Sequence, residues 1–196
     1  MKKALIVVTN IAKYDNLDRP TGAWFSEVTH FAKDFYDAGY DVDFVSPNGG
    51  YVPLDPISLN PEMMGAEDWE YYTDHDYMNK FGQTLSPKEV NPSDYQAIYF
   101  AGGHGAAGLL DIKENGDYLV RHKDVTGFTN SEEQANGTTE YMPYLLEDEF
   151  ISNGAHFKKE DDWSNFAVVD GRIVTGQNPQ SGHAVAEHAL KILANQ

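Results

Sequence analysis

Apolar residues in the first hundred positions follow two different repeats. Lys3 to Thr9 contains the unbroken run Ala4-Leu5-Ile6-Val7-Val8 and ends at Asn10. That is the pattern of a strand buried on both faces of a parallel sheet. A polar loop through Asp15, Asp18 and Pro20 follows. Thr21 then stands where an N-cap belongs, and Trp24, Val28, Phe31 and Phe35 recur at helical spacing until Gly39. Asp41 to Ser46 returns to a strand pattern, with Pro47-Asn48-Gly49-Gly50 as its exit. Strand, helix and strand in this order predict a right-handed crossover in an α/β sheet.

Regularity then lapses. Residues 51–95 are acidic and broken by Pro53, Pro56, Pro61, Pro87 and Pro92, and read as an irregular, lid-like insertion. Within it, Asp74-His75-Asp76 are adjacent rather than at i,i+4, which suits a helix N-terminus better than a metal site. Ala97 to Phe100 predicts a third strand running into Ala101-Gly102-Gly103-His104-Gly105, and Val125 to Thr129 a fourth before Asn130-Ser131-Glu132-Glu133. Tyr144 to Ile151 reads as a helix closed by Asn153-Gly154. Phe166–Asp170 and Arg172–Thr175 flank the hairpin signal Asp170-Gly171. A last helix starts near Ser181, with Val185, Ala189 and Ile192 on one face. No repeat, low-complexity tract or linker interrupts the chain, so one domain over 1–196 is expected.

Composition narrows the partners. The 196 residues carry 14 Lys+Arg against 31 Asp+Glu, a net charge of −17. Such a surface repels phosphate backbones and anionic lipid, so neither a nucleic acid nor a membrane is expected as partner. Cysteine is absent, which removes disulfides, thiolate metal sites and any cysteine nucleophile. A chain without disulfides suits a reducing cytoplasm. The early apolar run is too short for a signal h-region or a membrane span. No metal or cofactor is expected.

Three places could carry chemistry. Gly103-His104-Gly105-Ala106-Ala107-Gly108 matches G-x-G-x-x-G, but Asn115-Gly116 cuts the following segment short and Thr129-Asn130, not an acid, follows the next strand. The Gly102-Gly103 turn can aim backbone N–H groups at an oxyanion at the carboxyl end of a parallel sheet, or can be only a tight turn. Glu27 falls on the shoulder of the helix's apolar stripe beside Trp24 and Phe31. Desolvated there it would titrate high and carry protons; alternatively it snorkels to solvent or caps a loop. Glu132 and Glu133 either partner a histidine or begin a helix. No G-x-S-x-G is present, so a serine-hydrolase elbow has no support.

Taken together, Thr21-Gly22-Ala23-Trp24-Phe25-Ser26-Glu27-Val28, Val45-Ser46-Pro47-Asn48-Gly49-Gly50 with Pro53-Leu54-Asp55-Pro56, and Ala101-Gly102-Gly103-His104-Gly105 resemble the ThiJ/PfpI superfamily. The branch is that of the heat-shock-protein-thirty-one-like proteins, often labelled class I glutamine amidotransferase-like. The second half agrees through Val125-Thr126-Gly127-Phe128-Thr129-Asn130-Ser131-Glu132-Glu133, Leu145-Leu146-Glu147-Asp148 and Val174-Thr175-Gly176-Gln177-Asn178-Pro179. The resemblance implies a flavodoxin-like, mostly parallel sheet with helices on both faces. It also implies glyoxalase III (D-lactate dehydratase) chemistry on 2-oxoaldehydes such as methylglyoxal, without a cofactor. Deglycase or stress-chaperone activity on unfolded clients, and homodimers, are further family traits.

Carried over by motif, the helix acid is Glu27, and the later acid that orients the histidine is Glu133, with Glu132 as the neighbouring alternative. Gly102 and Gly103 match the oxyanion-side turn. The nucleophile matches nothing. Residues before His104 resemble a first family His-Gly site. Ala106-Ala107-Gly108-Leu109-Leu110 resemble the segment just after a second such site, the Cys-His-Gly elbow. His104-Gly105 is therefore a seam, from which one central strand-helix unit of about thirty residues is missing. His104 matches the catalytic histidine only across that seam. Losing the nucleophile of such a unit removes nearly all its rate enhancement, on the order of 10⁶-fold in one hydrolase. The expectation is a chain impaired in catalysis that serves as a binding or chaperone-like module. The alternative is an active glyoxalase III-type enzyme.

Overall fold

In the first part of the chain, β1 (Lys3–Val7) lies between β2 (Asp41–Val45) and β3 (Ala97–Phe100), all parallel. The computed structural model describes residues 2–103 and 108–195, and the chain divides into two compact units, 1–106 and 107–196. Ile6 pairs with Phe44 on one side and Tyr99 on the other. The crossover from β1 to β2 is α1 (Phe25–Asp37), whose Phe25, Val28, Phe31, Ala32 and Phe35 are buried. Phe31 stacks on Phe35 at 4.3 Å and on Tyr99 of β3 at 4.0 Å, which lays the helix on that face of the sheet. Each such ring contributes about 2 kcal/mol by leaving water. Gly39 closes the helix at φ +81°, donating to Tyr36 O while Tyr40 N–H reaches Phe35 O.

Thr21 is not the N-cap; Trp24 is. Residues 21–23 are kept extended because Ala23 exchanges backbone hydrogen bonds with Pro53 and Asp55, while Thr21 Oγ1 donates to Asp55 Oδ2 at 3.2 Å. The helix therefore starts only at Phe25.

Within 51–95 two eight-residue helices form, α2 (Ala66–Thr73) and α3 (His75–Gly82). Their apolar repeat is too short to register in the sequence, because α3 buries only Tyr77 and Phe81, against Phe44 of β2 at 5.7 and 5.0 Å. Asp74 caps α3, accepting from Asp76 N–H and Tyr77 N–H at 2.8 and 3.1 Å. Asp68 ties α2 to α1 by accepting from Thr29 Oγ1 and from Gly65 N–H. Among the described residues β3 pairs with β1 alone, and Ile98 at its centre is 49% exposed, so the strand is a sheet edge.

The second unit opens with a small hairpin, β4 (Lys113–Glu114) and β5 (Asp117–Tyr118), turning on Asn115 and Gly116 at φ 54° and 88°. β6 (Asp124–Val125) pairs in parallel with β7 (His156–Phe157). Between them lie α4 (Asn130–Ala135) and α5 (Leu146–Ser152). The expected strand Val125–Thr129 stops early because Thr126 N–H turns to Thr175 Oγ1 and Thr129 becomes the N-cap of α4. β8 (Ala167–Asp170) and β9 (Ile173–Gly176) form the anticipated antiparallel hairpin, though its two turn residues are Gly171-Arg172, one place later than expected. Asp170 instead accepts from Lys123 Nζ and Asp124 N–H. α6 (Gly182–Ala194) follows. Leu110, Val120, Val125, Phe150 and Ala155 form this unit's core. Among the described residues no helix is long and apolar enough to cross a membrane.

Candidate active site

The first turn of α1 and the exit of β3 meet through one peptide group. Trp24 N–H donates to Gly102 O at 3.2 Å, and Gly102 N–H donates to the Glu27 carboxylate. The approach is close enough that only glycine fits. A Cβ on Gly102 would lie 1.8 Å from Glu27 Oε2, and one on Gly103 would lie 2.3 Å from Gly22 O. Gly103 also sits at φ +113°, where a side chain would be strained. Gly22 is in turn pressed against Pro53 O, so the two glycine positions on the helix approach and the strand exit lock together.

This packing fixes the electrostatics of Glu27. The residue as a whole is half-buried, but Oε2 is sealed from solvent and has no hydrogen-bond partner among the described residues. Burial pushes the carboxyl up to about 7, and the Gly102 N–H only partly offsets it. Tyr99 OH holds the Glu27 carbonyl at 3.3 Å, anchoring the backbone beneath the acid. The result is a carboxyl whose pKa burial lifts into the neutral range and one of whose oxygens has no hydrogen-bond partner among the described residues. Such a group can take a proton from carbon and return it.

Glu27 occupies the third position of its helix, a slot where an acid ordinarily accepts the N-cap N–H. That bond is denied here, because the Trp24 N–H already points at Gly102 O. Glu132 occupies the same slot in α4 and takes it: Thr129 N–H and Oγ1 both donate to Oε2 at 3.0 Å. Its Oε1 accepts from Trp163 N–H at 2.7 Å, Asn178 Nδ2 at 2.8 Å and Gln177 Nε2 at 3.2 Å. With five donors Glu132 is a structural anion that organises its unit. Thr129-x-x-Glu132 is a capping-box pattern, the signal in the sequence that separates this acid from its neighbour. Gln177 and Asn178 had no role assigned from the sequence; they serve this anion.

Glu133 accepts from Thr138 Oγ1 and is buried in the second unit. The structure thus brings together Glu27, Gly102 and Gly103 in one unit and holds Glu133 in the other. His104, with Gly105, Ala106 and Ala107 of the G-x-G-x-x-G match, lies outside the described residues. Asp74, of the Asp74-His75-Asp76 run, caps α3.

No family model matches the chain. The chain is 28% identical to the glutathione-independent glyoxalase HSP31 of Saccharomyces cerevisiae, with 99% of each covered. That match runs over 235 aligned positions against 196 residues here, so at least 39 residues of the yeast protein have no counterpart. Among solved structures, the Rapid Encystment Protein 24 KDa of Francisella tularensis is 32% identical, with 98% of this chain and 99% of that one covered and a TM-score of 0.93. A ThiJ/PfpI domain protein of Brachyspira murdochii shares the fold, at 16% identity and a TM-score of 0.57. Near-complete coverage at 32% identity with a TM-score of 0.93, together with the end-to-end 28% match to HSP31, shows that the chain belongs to the HSP31-like family, on a ThiJ/PfpI-type fold.

Proposed function

We propose that this chain binds small 2-oxoaldehydes beside Glu27 and, by itself, does not convert them to hydroxy acids. The observation that carries this reading is the Glu27 carboxyl, with Oε2 buried and without a hydrogen-bond partner among the described residues, in a sequence without cysteine. A neutral carboxyl can donate to a carbonyl oxygen, and a charged one can remove an adjacent proton. Neither can open the reaction by bonding to the aldehyde carbon as a thiolate does. Purified protein with methylglyoxal should show saturable binding by saturation-transfer NMR, weakened in Glu27→Ala, and no lactate above buffer. Lactate formation would overturn the noncatalytic reading, and absence of binding would overturn the whole.

A client-holding role is favoured by a separate observation. Trp69 and Tyr72, in edge contact at 5.8 Å, are each 39% exposed on α2. Suppressed light scattering of a heated client, unaffected by Glu27→Gln and lost in Trp69→Ser, would support it, and unchanged scattering would remove it. The same reading places the chain in the cytoplasm as a homodimer joined through the open β3 edge. A monomeric mass by light scattering would overturn that assembly.

A further inference from the structure

We propose that His122 and His156, in the second unit, bind one divalent transition-metal ion of the copper and zinc kind. The site rests on that unit alone and stands whether or not 2-oxoaldehydes bind beside Glu27. Its backbone is clamped on both sides of a short ladder. β6 pairs in parallel with β7, and Asp124 stands opposite His156. His156 N–H donates to Lys123 O and His122 N–H donates to Gly154 O, each at 2.8 Å. His122 has φ +60°, a left-handed conformation that histidine enters more often than most residues. The two ring centres lie 6.3 Å apart, with their planes inclined at 55°. Both residues are exposed, the His156 side chain at 59%, so an ion can reach them from solvent. They lie far apart in sequence, and no spacing motif announces the pair.

Imidazole nitrogen suits copper, nickel and zinc, whereas carboxylates and carbonyls suit calcium and magnesium. Two imidazoles that share one ion through bonds of about 2.1 Å have ring centres about 5–6 Å apart. A movement of under about 1 Å by either exposed ring therefore closes the site, and water completes the coordination. His156 is already oriented for this. Its Nδ1 lies 3.4 Å from Asp124 Oδ1, which leaves Nε2 for the ion. A carboxylate behind a metal-binding imidazole fixes the ring and raises its basicity, so Asp124 is a positioning residue. The cations nearby are each matched by an acid: Lys123 Nζ with Asp170 Oδ1 at 2.8 Å, Arg121 Nε with Asp117 Oδ1 at 2.5 Å, and Lys158 Nζ with Asp124 Oδ1 at 3.6 Å. The net charge of −17 draws cations of every kind toward the chain; the two imidazoles supply the selectivity.

The test titrates the tag-free full chain with CuCl2 and with ZnCl2 by calorimetry near neutral pH. One ion per chain is expected, bound more tightly as Cu2+ than as Zn2+ and not displaced by excess Ca2+. His122→Gly, which keeps the positive φ, and His156→Ala should each weaken binding at least about tenfold, the loss that removing even an outer partner brings. Asp124→Asn should weaken it about tenfold while the melting midpoint of the metal-free chain stays in place. Affinity should be unchanged in His30→Ala and in His75→Ala. Electron paramagnetic resonance of the Cu2+ complex should show coupling to two imidazole nitrogens, reduced to one in each single histidine variant. Absence of stoichiometric Cu2+ binding, or an affinity unchanged in both histidine variants, overturns the proposal. Displacement by Ca2+ assigns the ion to carboxylates and overturns it as well. Should a variant not melt cooperatively, the unsubstituted chain decides: Zn2+ must shift the ring resonances of His122 and His156 together, and a shift of neither or of only one overturns the site.

Discussion

Glu27 and Glu132 stand in the same slot of two helices and have opposite fates. Each is the third residue of a helix that follows a strand, and each carboxylate is withdrawn from water. Glu132 meets five donors, including the N-cap N–H and hydroxyl of Thr129. Among the described residues Glu27 meets one, because its N-cap is Trp24, which has no hydroxyl to offer and whose N–H is spent on Gly102 O. Burial alone therefore does not lift an acid's pKa; burial without donors does. The first unit leaves an acid electrostatically unfinished, and the second completes one.

The contrast can be broken most forcefully from the saturated side. Glu132→Ala strands the Trp163, Gln177 and Asn178 donors together with Thr129 N–H. It should cost on the order of 4 kcal/mol in urea unfolding; a loss below about 1 kcal/mol would mean that the five-donor description is wrong. The unfinished side predicts the reverse sign. Burial raises Glu27 from 4.5 to about 7, so the folded state binds more protons than the unfolded one between those values. Stability contributed through this group falls as pH rises across that window and is level above it. Glu27→Gln should therefore stabilise the protein by about 3 kcal/mol near pH 8, the gain shrinking toward zero near pH 4.5.

Smaller effects sharpen the geometry. Gly102→Ala forces a methyl against Glu27 Oε2 and should cost about 2 kcal/mol. In a Glu27→Ala background that cost should fall by half or more, a coupling read from the double-mutant cycle. Additive behaviour would show that the glycine serves the turn and not the acid. Thr129→Ala should cost about 1 kcal/mol by removing a cap that α1 never had.

Much of this contrast was legible in the chain itself. β3 (Ala97–Phe100), the hairpin around Gly171 and the shoulder position of Glu27 follow from periodicity and turn residues, while periodicity left open whether Glu27 is desolvated or reaches solvent. α2 did not follow from them, and of α3 only the N-terminus at Asp74-His75-Asp76 was marked, because eight residues with at most two buried rings give no readable period. The start of α1 was misplaced for a long-range reason: Pro53 and Asp55, about thirty residues away, hold Ala23 extended. The Thr129-x-x-Glu132 box is what marks Glu132, and not Glu133, as the acid that caps α4. The Trp24-to-Gly102 bond that leaves Glu27 short of donors joins residues far apart in sequence, and no local pattern announces it.

The most direct test is a carboxyl-carbon NMR titration of protein labelled in glutamate side chains, with the Glu27 resonance assigned by its loss in Glu27→Gln. The account predicts a midpoint near the value of about 7 that burial imposes. A midpoint near 4.5, the ordinary value for a solvated glutamate, would contradict it.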